Sequence, residues 1–183
     1  MDEIVKAALK KWPNVPHCYD WLALDARGDW YMRDERIQAA GPFPQVKGSR
    51  ITHDKLKDFI QRNYLADEHG AWFFQNGPQR VYVELEATPW IYGVQRQGQE
   101  WLVHTHTGTP AKDVKQVLLD EQGRLFLETE LGLGIVHTLD MSAAADAVES
   151  GHWVPQDVAS GELPGRYGYV LQPKKPAEPR ARA

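Results

Sequence analysis

Cysteine is nearly absent from this chain. Cys18 stands alone among 183 residues, which excludes a disulfide framework. No stretch reaches the roughly 18 apolar residues that a membrane span needs. The opening Met1-Asp2-Glu3 is acidic and leads into no long apolar run, unlike a secretory leader. A cytoplasmic protein with no membrane association is expected. Positive charge is scarce too: the formal net charge is −4, whereas a general nucleic-acid binder shows a basic face. Lys174, Lys175, Arg180 and Arg182 do cluster, but Pro173, Pro176 and Pro179 separate them. Residues 173–183 therefore read as a disordered, solvated tail, and a nucleic-acid partner is not expected.

Catalytic signatures are missing as well. No Gly-x-Ser-x-Gly, Walker loop, His-Glu-x-x-His or Cys-x-x-Cys occurs. Gly132-Leu133-Gly134 falls short of a dinucleotide loop, because His137 holds the position of the third glycine and the next segment is β-like. Cys18 follows His17, yet a lone cysteine between Pro16 and Tyr19 reads as a small hydrophobe. The balance leans away from an enzyme.

Aromatics are abundant, with seven Trp and seven Tyr. Such residues suit pleated, half-buried surfaces. Hydrophobic residues make up 42% and charged residues 25%, a globular balance. A chain of this length buries about 70% of its unfolded surface, enough for one core. A single globular unit over 1–172 is expected, divisible into lobes 1–88 and 89–172.

Patterning then places the elements. Ile4, Val5, Ala8, Leu9 and Trp12 recur at helical spacing until Pro13. Residues 21–25 and Trp30-Tyr31-Met32 read as a hairpin. Residues 34–50 read as a long loop. Thr52 is a plausible N-cap for a helix over 53–65, with its stripe on Leu56, Phe59, Ile60, Tyr64 and Leu65. Strands follow at 72–74 and 79–87. In the second, Val81, Val83 and Leu85 form an apolar face, and Tyr82, Glu84 and Glu86 a wet one. Hairpins are expected over 90–105 and 114–128, and a strand over 135–138. A helix over 142–150 is capped by Asp140 or Ser142, with weaker strands at 153–154 and 167–171. Gly28, Gly70 and Gly151 each precede a Trp by two positions, as if a turn glycine hands over to a strand. The fold class is α+β: antiparallel hairpin sheets packed by two or three helices.

Two constellations could carry function. Arg62, Asn63 and Tyr64 at a helix end, with Gln75, Asn76 and Arg80 around a turn, gather amides and guanidinium groups that suit a small polar ligand or a peptide. The plainer account is a solvated hairpin turn. His104 and His106 would share one face of a strand and could share a metal, Zn or another divalent transition metal. A third ligand from Glu128, Glu130 or His137 would be required. The plainer account is a pair of surface histidines and no cofactor.

The segment GAWFFQNGPQRVYVELEATPW resembles a family of bacterial, mostly proteobacterial, proteins classed as a domain of unknown function. The likeness runs from about Trp12 to Val154. A more distant resemblance, to a second such family, is carried by Trp30-Tyr31, Ile51-Thr52 with Leu56, Gly70-Ala71-Trp72 and the strand Val81 to Ala87. It extends to Gly132-Leu133 and onward to Val148. Thr88 separates Ala87 from Pro89, a departure from that family's Ala-Pro. The resemblance implies an α+β fold of two similar lobes and a role in signalling or interaction, without established catalytic residues. The functional expectation is a non-catalytic binding or regulatory module, with a homodimer as one form it takes, that takes a protein or small polar ligand; the alternative is a metal-dependent enzyme or metal sensor using His104 and His106.

Overall fold

The computed structural model describes residues 1–178; Pro179, Arg180 and Arg182 of the expected tail lie outside the described residues. Residues 173–178 form no helix or strand. Two sheets with a few helices make the α+β architecture. The first sheet contains β1 (Cys18–Leu24), β2 (Trp30–Met32), β3 (Ser49–Arg50), β4 (Tyr64–Ala66), β5 (Trp72–Asn76) and β6 (Gln79–Leu85), in the order β3-β2-β1-β6-β5-β4. The second contains β7 (Trp90–Gln97), β8 (Glu100–Thr105), β9 (Pro110–Ala111), β10 (Val114–Asp120), β11 (Leu125–Thr129), β12 (Gly132–Val136) and β13 (Gln156–Val158), in the order β13-β10-β11-β12-β7-β8-β9.

The hairpins follow from turn residues between alternating runs, such as Gly77-Pro78 between β5 and β6. Three parallel pairings join them: β1 with β6, β12 with β7, and β10 with β13. Period-two alternation is the same in either direction, so the sequence alone does not distinguish these joints.

Alternation decides what each face buries. Leu22, Leu24, Val81, Val83 and Leu85 of the first sheet meet Ile91, Leu118, Phe126 and Ile135 of the second in one core. On its far side the second sheet turns Tyr92, Val94, Val117, Leu127 and Val136 toward Ala144 and Ala147 of α4 (Met141–Glu149) and toward Trp153. The core face of the first sheet is also closed by α3 (Asp54–Arg62), whose Phe59 meets Phe74 edge-on at 5.5 Å. The N-terminal α1 (Glu3–Lys11) buries Val5. It docks where the Asp2 amide donates to Asn63 Oδ1 at 2.8 Å and Arg62 pairs with Asp2 at 3.2 Å.

Several expectations change. The expected loop over 34–50 holds α2 (Glu35–Ala40), capped by the Asp34 carboxylate accepting from the Ile37 amide, and β3. Six residues are too few to show a helical stripe. His53, not Thr52, caps α3, through Nδ1 accepting from the Leu56 amide. The helix stops at Arg62, and Tyr64 and Leu65 pair with Phe74 and Phe73 as β4. Here tertiary pairing overrides a helical stripe. Asp140 does not cap α4 by its side chain, which accepts from the Val94 amide instead. Trp153 packs against the α4 layer without a strand, and β13 follows it. The 167–171 segment begins at the end of α5 (Leu163–Tyr167) and continues as irregular chain, yet the Leu85 amide donates to Leu171 O at 2.8 Å. The glycine echo is real in backbone terms. Gly28, Gly70 and Gly151 have φ of 82°, 80° and 77°, although Trp153 after Gly151 starts no strand.

The face of β6 expected to be wet is covered. Tyr82 stacks on Tyr19 at 4.7 Å, and Glu84 lies beneath the segment after β2.

Candidate functional site

Between β1, β6, β5 and α3 the core face of the first sheet is not fully closed. A groove of about 350 Å³ opens there, lined by Cys18, Trp21, Leu22, Met32, Leu56 and Phe74 among others. Trp21, Met32 and Leu56 stay 39%, 47% and 37% exposed around it. No charged residue lines it, and its polar members are Asn76 and Gln79, paired at the β5–β6 hairpin end.

A bulge in β1 shapes one wall. Cys18 pairs with Val81 and Leu22 with Val83, so four residues of β1 span two of β6. Asp20, inside the bulge, has φ of 70°, left-handed and rare for a residue with a side chain. Burial, then the nearby Asp20 carboxylate, raises the Cys18 thiol above its usual pKa. That is the opposite of what an activated nucleophile needs.

Behind the bulge, on the other face of the sheet, lies a charged cluster. The side chains of Arg33 and Glu84 are 3% and 8% exposed and lie 3.8 Å apart. Arg33 also donates to Gly41 O at 2.6 Å and Val46 O at 3.3 Å, fastening the α2 segment over the sheet. Burial pushes the Glu84 carboxyl up to about 7, and its hydrogen bond with Asp20 adds to this while Arg33 opposes it. Alongside, Lys47 bridges Asp25 at 3.0 Å and Glu86 at 3.8 Å.

The expected polar rim does not converge. Arg62 holds Asp2, and Asn63 is buried against Phe59 O. Tyr64 is buried with its hydroxyl donating to Pro89 O. Gln75 is buried and donates to Gly77 O. Arg80 lies over Phe73 at 4.0 Å and donates to the Tyr82 hydroxyl, on the face away from the groove. Of the six, Asn76 lines the groove.

The histidine pair also separates. His104 is exposed, directly across from Gly93 and against the space where that residue lacks a side chain. β8 ends at Thr105, and His106 turns into the space between the sheets. Its Nδ1 accepts from the Ile91 amide at 3.2 Å. The rings of Trp30, Tyr64 and Trp90 surround it with centroids 5.8, 5.8 and 5.9 Å away. Burial lowers its pKa to about 3, so the imidazole is neutral. Among the described residues no three His, Cys, Asp or Glu side chains gather as a metal site. No described helix is long and apolar enough to cross a membrane.

The family described as DUF2944, protein of unknown function (DUF2946), matches residues 1–174. The chain belongs to the DUF2944 family. No curated protein matches it. Among solved structures this DUF2944 chain is similar to a DUF1285 family protein from Silicibacter pomeroyi DSS-3, at 13% identity over 80% of this chain and 84% of that one, with a TM-score of 0.49. A DUF1285 family protein from Shewanella baltica OS155 is similar at 18% identity over 69% and 91%, with a TM-score of 0.47.

Sequence reasoning missed the groove because its walls are core residues by pattern. Only Trp21, a large aromatic at the position alternating with the apolar Leu22 and Leu24, could have signalled it.

Proposed function

We propose that this DUF2944 protein is a cytoplasmic, non-catalytic binding module whose groove takes a small, uncharged and mostly apolar molecule. The supporting observation is the ring of exposed Trp21, Met32 and Leu56 around an uncharged cleft with two amides at its hairpin end. Its volume falls in the range of small-molecule sites, roughly 300–1,000 Å³, and such sites combine an apolar lining with few polar groups. The Asn76 amide, and the Oε1 of Gln79 whose Nε2 donates to Pro16 O at 3.2 Å, would orient one polar end of the ligand. This departs from the polar-rim reading, because Arg62, Asn63, Tyr64, Gln75 and Arg80 are occupied by contacts within the chain and Asn76 is the member that lines the groove.

Titration with Nile red, a neutral solvatochromic probe, tests the reading. Saturable binding near one equivalent, weakened at least about tenfold by Leu56→Lys, is expected. Absence of saturable binding, or binding indifferent to Leu56→Lys, would sink it. Homodimerisation remains part of the proposal, and sedimentation across a concentration series decides it; a monomer throughout removes that part.

A further inference from the structure

A second cavity opens where the two sheets meet the returning C-terminal segment. Its volume is about 260 Å³. Trp72 of β5, Trp90 of β7, Tyr167 at the end of α5 and Tyr169 line it, with Asp67 and Glu68 from the turn after β4. The two indoles stand 5.0 Å apart at 74°, so two walls meet near a right angle. The polar tips of these aromatics are mostly engaged within the chain. Trp90 Nε1 donates to Leu131 O at 2.8 Å, the Tyr167 hydroxyl to Gln116 Oε1 at 2.8 Å and the Tyr169 hydroxyl to Ala87 O at 3.0 Å. What they have left to offer a guest is chiefly π surface. Two glycines close the seam. Gly70 has a φ of 80°, and a Cβ there would collide with Gly168 O.

The charge lining this cavity has one sign. No lysine or arginine lines it. The Asp67 carboxylate accepts from the His69 and Ala71 amides at 2.9 and 3.0 Å and from the Tyr82 hydroxyl at 2.9 Å, which fixes its position and favours its ionised form. Glu68 is 79% exposed, with the His69 ring 3.6 Å away. Arg166 stands over the Tyr167 ring at 5.4 Å without lining the cavity. Aromatic faces attract cations through their quadrupole, and quaternary ammonium groups suit them because they carry no N–H that needs an acceptor. A primary ammonium brings three donors, and the Asp67 oxygens are already committed.

We propose that this cavity binds the quaternary ammonium group of a small soluble cation of the choline class. Its volume lies below the roughly 300 Å³ at which drug-sized sites begin, a size for a headgroup. A phosphate attached to that group, as in a lipid headgroup, would meet Asp67 and Glu68 with like charge. The site does not depend on the groove reading, since the two share no lining residue.

The test is a titration of the full chain with choline chloride at constant ionic strength, followed by NMR at the indoles of its seven Trp. Saturable shifts of Trp72 and Trp90 at millimolar choline are expected, with Trp21 unmoved. Dimethylbutanol, which has the same shape with carbon in place of the charged nitrogen, should bind at least about tenfold more weakly, and so should phosphocholine. Glu68→Lys alters an exposed side chain that the fold does not need, and should weaken choline at least about fivefold. Leu56→Lys should leave choline affinity unchanged, so loss of the groove and loss of this cavity are told apart. The proposal falls if no saturable shift appears up to about 100 mM choline, or if the shifts gather at Trp21. Equal binding of dimethylbutanol, or indifference to Glu68→Lys, would reduce the site to an apolar cleft and overturn the proposal. Phosphocholine binding as tight as choline would overturn the soluble cation as its ligand.

Discussion

His106 accepts a hydrogen bond from the Ile91 amide through Nδ1 and presses its Nε2 edge into the rings of Trp30, Tyr64 and Trp90. Nδ1 has no proton to give while it accepts, so Nε2 carries the hydrogen of the neutral ring. It has no hydrogen-bond partner among the described residues. Its neighbours offer π faces, a weak substitute. Protonating Nδ1 would break the Ile91 contact and leave a buried charge.

Acid sensitivity follows. The folded pKa, about 3, lies below the unfolded value near 6.5. Between the two the unfolded chain binds more protons, so stability is complete above about 6.5 and is lost as pH falls toward 3. The slope is roughly 1.4 kcal/mol per pH unit. In His106→Asn, Oδ1 can still accept from Ile91 but cannot titrate. Urea denaturation from about pH 7 to 4 should show a shallower fall for that variant, from a starting stability lower by about 1–3 kcal/mol for lost ring packing. Parallel slopes would show that His106 is not the source.

Two glycines of the second sheet separate overpacking of a core from displacement of a surface ring. A Cβ on Gly134 would lie 2.5 Å from the Tyr92 ring and 2.8 Å from Trp90 O. The Tyr92 ring cannot retreat, because its hydroxyl bonds Thr129 Oγ1 and Gly132 O, both at 2.8 Å, in the α4 layer. A Cβ on Gly93 would meet only the far end of the exposed His104 ring. Gly134→Ala should therefore cost about 1–3 kcal/mol or more, and Gly93→Ala less than about 1 kcal/mol. Thermal melts of the two variants check the order.

The same pair shows what the sequence could reveal. Alternation from Trp72 through Glu128 was enough to place the hairpins, because large apolar side chains recur at every second position even in β6, where both faces are covered. It could not tell that Tyr82 and Glu84, polar by type, are covered, since Tyr82 is covered by Tyr19 and Glu84 by the segment that Arg33 fastens, both far away in the chain. The His104–His106 spacing implied a shared face only while the strand continued, and it ends at Thr105. Tyr64 fitted a helical stripe yet serves as β4, where its hydroxyl reaches Pro89 O across the core. Local pattern reports which residues are buried; partners distant in sequence decide against what.

Glu84 gives the opposite pH response to His106. Its folded value, about 7, is raised above the ordinary 4.5. The folded state then binds more protons between those values, so stability is present below about 4.5 and is lost as pH rises through 7. Glu84→Gln should flatten the decline between about pH 5 and 8 without altering the acid limb governed by His106. Arg33→Met should steepen that decline, because it removes the cation that favours the ionised form, and should lower stability at pH 8 by about 3–5 kcal/mol as an unpaired buried charge. Chemical denaturation of the three proteins at both pH values checks the signs.

The last prediction concerns whether residues 1–88 and 89–172 are separable. The main core needs Leu22, Leu24 and Val83 from one sheet and Ile91, Phe126 and Ile135 from the other. The C-terminal segment crosses back as well: Val170 N donates to Gly70 O at 3.0 Å, and the Tyr169 hydroxyl to Ala87 O at 3.0 Å. A chain ending at 88 would lose both the opposing sheet and this returning segment. It should be unfolded by far-UV circular dichroism, and a chain ending at 166 should melt well below the full protein. Ending at 173 should change the melting temperature little, since Pro173 is buried while residues 174–178 are exposed and form no helix or strand. Tyr169→Ala within the full chain should cost about 3–5 kcal/mol, as large buried aromatics do. A cooperative melt of 1–88 alone would mean that the first sheet has a sufficient core of its own.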